Sequence, residues 1–218
     1  MQGTWWAIVT ALGSLLALAY YAFVVAPARL HRLRCEGLRS FARLIELRTQ
    51  GRYGKSETLA DLAVAVATRL GMRLHERQQM ELAIYLRDIG MVAIPYRVLN
   101  KPTALTRGER ALLQRHAAIS ASITEQIPGV SRVAEIVRLH HVVYSEQPDA
   151  PLSAHLISAL DDWLRVAESA NHDVATSVLK QEVGTRYHPL VVQAILSELS
   201  RRSWSGWSDL TRSAALWL

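Results

Sequence analysis

The sequence predicts an all-α protein, a helical bundle preceded by one transmembrane helix, and three observations predict it. From Thr4 to Val25 the chain reads TWWAIVTALGSLLALAYYAFVV, a run whose only ionisable groups are Tyr20 and Tyr21. From Ser56 onward apolar residues recur at i, i+3 and i+4, and no alternating stretch is long enough for a sheet. Between the periodic segments stand helix punctuators: Gly71 as a stop, Thr106-Arg107-Gly108-Glu109 as a capping-box start, and Pro128-Gly129 as a break.

The apolar run comes first in the chain. A helix needs about 20 apolar residues to cross the hydrocarbon core, and this one has them. Trp5 and Trp6 stand at one end and Tyr20 and Tyr21 near the other, as interfacial anchors do. A cleaved signal peptide is the rival reading, because Ala26-Pro27-Ala28 looks like a small-residue cleavage site. The anchor reading is preferred: no Lys or Arg precedes the run, and a signal h-region is shorter, about 7–15 residues. Arg29, Arg32, Arg34, Arg39 and Arg43 follow at once, so positive-inside bias puts the rest of the chain in the cytoplasm. The expected location is the inner or cytoplasmic membrane, single-pass.

Composition narrows the class of protein. Half of the 218 residues are hydrophobic and 20% are charged, which excludes a disordered tail or a low-complexity polymer. The net charge is +6, from 25 basic and 19 acidic residues, and every basic residue lies after position 28. The lone Cys35 rules out an internal disulfide and a thiolate metal cluster. No aromatic-interleaved basic stripe or recognised module is present, so a nucleic-acid partner is not expected.

Residues 29–54 read as a juxtamembrane helix and linker, with arginines set to meet lipid headgroups and Gly51 and Gly54 as the break. A helical domain is expected over 55–200. Leu59, Leu62, Ala63, Val66, Ala67 and Leu70 form one helix, and Leu82, Tyr85, Leu86 and Ile89 continue on a second. The Thr106 cap opens a helix carrying Leu112, Leu113 and His116, and another holds Val133, Ile136, Val137, Leu139 and His140. Segments 151–169 and 189–202 read as helical too. The tail, 201–218, holds Trp204, Trp207 and Trp217, which suit either burial or docking at the membrane interface.

Of the eight histidines, the adjacent pair His140-His141 is the most suggestive. Neighbouring helical residues point about 100° apart, so both face one ion only near a helix end. The Pro-containing segment from Tyr144 to Pro151 makes an end there plausible.

A family resemblance rests on motifs in order. Tyr85-Leu86-Arg87-Asp88-Ile89-Gly90-Met91-Val92-Ala93-Ile94-Pro95, then Leu99-Asn100-Lys101-Pro102, Leu105-Thr106 and Glu109, resemble the HD-GYP branch of the HD phosphohydrolases. His116 falls where that family has a ligand histidine, and His140-His141 fall at its His-His pair. Ala154 to Asp161 resembles the segment ending in its last ligand aspartate, and Gly184 to Pro189 its G-x-x-F-D-P close, with His188 at the aspartate. The similarity runs from about Lys55 to Leu199. It implies an HD-domain fold and a cyclic di-GMP phosphodiesterase-like site, where Fe, Mn or similar ions polarise a phosphate and activate water.

The departures concern the site. Lys55 stands at the first ligand histidine, Arg87 replaces the histidine of the His-Asp pair, Met91 replaces a lysine, and the GYP element is absent. By resemblance one metal position maps onto Lys55, Arg87, Asp88 and Asp161, where neither cation has a lone pair for a metal. The other, Asp88, His116, His140 and His141, keeps all its ligand types. Lys101 is a candidate phosphate contact. Lys55 and Arg87 either replace the missing positive charge against Asp88 and Asp161 or face solvent, and the histidines either bind one Fe or Mn ion or none. The expectation is a membrane-anchored, catalytically impaired signalling protein that binds a cyclic dinucleotide or docks a membrane or signalling protein. The alternatives are a phosphohydrolase working with one metal, and a scaffold that uses only the fold.

Overall fold

The computed structural model describes residues 2–50 and 54–201, which form two compact units, Met1–Gly37 and Leu38–Leu218. The tryptophan-containing tail beyond Arg201 and Gly51 of the expected linker lie outside the described residues. The protein is all-α: among the described residues there is no strand, only an isolated bridge between Val183 and Tyr187.

The first unit holds α1 (Gln2–Tyr20), a π-helical turn (Tyr21–Val25) and the start of α2 (Ala26–Gln50). It contains the one helix among the described residues long and apolar enough to cross a membrane. The π turn has a local cause. Pro27 lacks an N–H and its ring crowds the carbonyl four residues back, and the turn just before it widens so that Ala26 N–H bonds Tyr21 O. The helix therefore passes through the junction at residue 28 without stopping.

The second unit starts at Leu38 on α2 and continues with α3 (Lys55–Arg69), α4 (Leu74–Leu86), a 3₁₀ turn (Ile89–Ala93), α5 (Tyr96–Leu99) and α6 (Arg107–Gln114). Then come α7 (His116–Glu125), a second 3₁₀ turn (Ser131–Val133), α8 (Ala134–Arg138), α9 (Leu152–Ser169), α10 (His172–Gln181) and α11 (Pro189–Leu199). The expected punctuation is at work. Gly71 takes φ 69° after α3, where Gly71 N–H bonds Thr68 O and Met72 N–H bonds Ala67 O, closing the helix in a Schellman motif. The Thr106 hydroxyl accepts from Glu109 N–H while Glu109 Oε2 accepts from Thr106 N–H, closing the capping box of α6.

The core sits around α9, which is buried on nearly every side from Ser153 to Leu164 and packs against α3, α4, α10 and α11. On the other side α7 packs against α8 and the first 3₁₀ turn. Gly90 makes that approach possible: a Cβ there would lie 2.3 Å from His116 O and 2.7 Å from Ser120 N. Its N–H donates to Ser120 Oγ at 2.8 Å, so the chain after Asp88 is pinned to the N-terminal turns of α7.

Candidate functional site: a two-sided cluster of carboxylates, cations and histidines

Five segments converge. Lys55 is the first residue of α3, Arg87 and Asp88 follow the end of α4, and His116 opens α7. His140 and His141 lie in the turn after α8, and Asp161 sits within α9. The helix end before His140 lets two adjacent residues share a target, and their ring centroids are 4.0 Å apart.

One side of the cluster is ion-paired. Lys55 Nζ lies 2.9 Å from Asp161 Oδ1, and Arg87 Nη2 lies 3.4 Å from the same oxygen. Arg87 Nε lies 3.1 Å from Asp88 Oδ2. Arg87 is 1% exposed, yet its remaining donor Nη1 has two acceptors, Ser56 Oγ at 3.0 Å and Ile84 O at 2.6 Å. Burial alone pushes a guanidinium down, but Asp88, Asp161 and Glu46 outweigh it and hold Arg87 above its ordinary value. Burial raises the Asp161 carboxyl, but Lys55 and then Arg87 reverse this and hold it below the usual carboxylate range. Burial likewise raises Asp88, and Arg87 then brings it down. Both cations thus sit on the two carboxylates rather than in solvent.

The other side consists of imidazoles. His116 Nδ1 lies 2.7 Å from Leu113 O and His140 Nδ1 lies 2.6 Å from Val137 O. A carbonyl only accepts, so each Nδ1 carries a proton and each ring turns its Nε2 inward. Those two Nε2 atoms face one another at 3.2 Å. Burial, followed by the neighbouring His141, pushes His140 down to about 3, so it is neutral near pH 7. Asp88 joins the halves, with Oδ2 on Arg87 and Oδ1 3.5 Å from His116 Nε2 and 3.9 Å from His140 Nε2.

Donor chemistry tests what this half could hold. One ligand atom from each of His116, His140 and His141 lies within 4.8 Å of the others. Ligands about 2.1 Å from one ion stand about 3–3.4 Å apart at adjacent positions, a spacing the Nε2 atoms of His116 and His140 match at 3.2 Å. With neither Nε2 protonated, the pair offers two lone pairs to one ion. Fixing Nδ1 on a carbonyl is also how metal-binding histidines are oriented. The residues fit one divalent ion. The Lys55–Arg87–Asp161 half offers a single carboxylate already carrying two cations, and does not fit a second.

Lys101 lies apart from these contacts, with Nζ 2.6 Å from Glu109 Oε2, and that ion pair, with the Thr106 hydrogen bonds, brings the Glu109 carboxyl down to about 2. His188 caps α11, its Nδ1 accepting from Leu190 N–H at 3.2 Å. Two site residues escaped the sequence reading. Ser56 and Glu46 form the wall behind Arg87: Ser56 Oγ donates to Glu46 Oε1 at 2.6 Å. Glu46 stands in the arginine-rich juxtamembrane segment, and nothing in the local pattern marks it.

This fold is that of an HD domain. The HD-domain family model matches residues 39–194, and the chain belongs to that family. Its relatives include the cyclic di-GMP phosphodiesterase response regulator RpfG of Xanthomonas campestris pv. campestris, 33% identical over 177 residues that cover 74% of this chain and 47% of that protein. The cyclic di-GMP phosphodiesterase of Thermotoga maritima is 25% identical over 169 residues, covering 70% of this chain and 46% of that one. This chain thus spans about half the length of these relatives. The HD domain of the Listeria monocytogenes phosphodiesterase PgpH shares the fold, with TM-score 0.51 and 15% identity over 73% of this chain and 97% of that one.

Proposed function

We propose that this protein is a membrane-anchored HD-domain signalling protein that binds a cyclic dinucleotide beside a single-metal centre and is impaired in hydrolysing it. The reading is supported above all by the Lys55–Asp161–Arg87–Asp88 ion-pair chain. Positive charge that a second metal would bring is already supplied by two side chains, and a side-chain cation cannot activate water. Asp88, His116, His140 and His141 would hold one divalent transition metal, Fe or Mn, which would supply Lewis acidity toward a phosphate oxygen. The cyclic-dinucleotide ligand class comes from the names of the relatives. The apolar helix at the N-terminus, followed by arginines, supports a single span with the HD domain on the cytoplasmic side. Residues 1–28 would be the anchor, 29–54 the juxtamembrane connector, 55–200 the HD-GYP-like domain and 201–218 a separate tail.

A second reading, a phosphohydrolase working with one metal, is favoured by the two facing Nε2 atoms, whose arrangement suits a bound ion. One experiment separates the two. The full-length chain in detergent micelles is purified without chelator, its metal content measured, and cyclic di-GMP hydrolysis followed with Mn²⁺ or Fe²⁺ added. The expected result is about one metal per chain, ligand binding, and turnover no greater than that of a His140→Ala/His141→Ala control. Turnover that the control abolishes establishes the second reading.

A further inference from the structure

Arg87 must be held still for the ion-paired half to exist, and its hydrogen bonds show what holds it. Ser56 Oγ accepts from Arg87 Nη1 at 3.0 Å. A hydroxyl has one proton, and that of Ser56 goes to Glu46 Oε1 at 2.6 Å, which leaves its lone pairs for the guanidinium. Glu46 is 3% exposed and lies on α2, the helix that follows the candidate membrane span. Its carboxylate also accepts from Ser56 N–H at 2.7 Å and from Gly54 N–H at 2.8 Å, so it caps α3 from outside. Around it α2 is fastened to the domain. Arg39 donates to Tyr85 Oη at 3.3 Å, Arg43 pairs with Glu57 at 2.6 Å, and Arg48 donates to Ile94 O at 2.9 Å.

We propose that Glu46 is a positioning residue: through Ser56 it holds Arg87 across Asp88 and Asp161, so that the membrane-proximal helix sets the charge on the candidate site. Three contacts in series carry this: Glu46 to Ser56, Ser56 to Arg87, and Arg87 to the two carboxylates. Glu46 also bears on the charge sum. Glu46, Asp88 and Asp161 against Lys55 and Arg87 leave one negative charge facing the histidines, and removing Glu46's charge cancels it. A displacement of α2 that withdraws Glu46 would turn the Ser56 hydroxyl and release one donor of Arg87.

The test needs no bound ion. The full-length chain, labelled with ¹⁵N-arginine in micelles, gives an Nε–H resonance for Arg87, whose Nε is buried and ion-paired with Asp88. Glu46→Gln and Ser56→Ala are each expected to shift that resonance and speed its proton exchange by about tenfold or more. The Glu46→Gln effect should largely vanish in the Ser56→Ala background, since both changes break one chain. Arg43→Ala, at the same α2–α3 contact but outside the chain, should leave exchange within about twofold. An unmoved Arg87 resonance in Glu46→Gln, or an equal response to Arg43→Ala, overturns the proposal. Binding of Co²⁺ is read in parallel, with an expected loss of about tenfold in affinity for Glu46→Gln. A wild-type chain that takes up no Co²⁺ rejects the single-metal reading, while the resonance still decides the role of Glu46.

Discussion

The two halves of the cluster solve the same electrostatic problem in opposite ways. In the Asp161 half, carboxylates from α9 and from the turn after α4 meet an ammonium and a guanidinium, so charge is balanced by side chains alone. In the histidine half, both Nδ1 protons are spent on carbonyls and the inward Nε2 atoms face each other, Asp88 Oδ1 and His141. One half is complete as it stands; the other is arranged for a cation it does not itself supply.

The strongest way to break this contrast is to remove the central cation. Arg87→Met leaves the buried Asp161 and the half-buried Asp88 with only Lys55 for compensation, and unpairing a buried charge costs roughly 3–5 kcal/mol. Denaturant unfolding of the variant should show a loss of that size. His140→Gln should cost far less in metal-free protein, less than about 1 kcal/mol, because the amide keeps a donor for Val137 O. It should also weaken Co²⁺ binding about a hundredfold, as measured by titration. A large loss of stability from His140→Gln without metal would mean the histidines are structural core residues.

Gly90→Ala probes the seam between the halves. A Cβ there would press on the His116 carbonyl and the Ser120 amide, backbone atoms that cannot swing aside. The expected cost is about 1–3 kcal/mol. Because the displaced segment carries Asp88, metal affinity should fall with stability. An affinity unchanged beside a lowered melting temperature would show that the Asp88–His116 spacing is not critical.

Much of this was legible in the chain. The helices announced themselves through spacing and punctuation that act locally: Gly71 at a left-handed stop, and Thr106 with Glu109 across one turn. Asp88, His116, His140, His141 and Asp161 could be singled out because their order and separation matched a family pattern. What escaped depends on packing between segments distant in sequence. Glu46 reaches Ser56 ten residues on, and Ser56 reaches Arg87 thirty-one residues on, with no period linking them. The direction in which Lys55 and Arg87 point was equally hidden, since a cation near a helix end serves a solvated face as readily as a buried carboxylate. Lys101 was visible as a motif residue, but its pairing with Glu109 eight residues on depends on how the intervening turn folds back.

The smallest expected effect sharpens the comparison by pH. Asp161 is held below the ordinary carboxylate value by Lys55 and Arg87 against the effect of burial. A group depressed on folding adds stability above its unfolded value, about 4, and that stability is lost as pH falls toward the folded value. Lys55→Met removes one of the two cations on Asp161 Oδ1, so it should cost about 1–2 kcal/mol near neutral pH. Arg87 remains on the same oxygen, which keeps the loss below that of Arg87→Met. The unfolded value is the same in both proteins, so the deficit should persist through it and shrink only as pH falls below the variant's folded value toward the lower one of wild type. Urea melts of both proteins from pH 7 to pH 2 would show midpoints that converge at the acid end. Midpoints that stay parallel would mean that Lys55 stabilises the fold by packing its stem, and that Arg87 alone carries the charge of the ion-paired half.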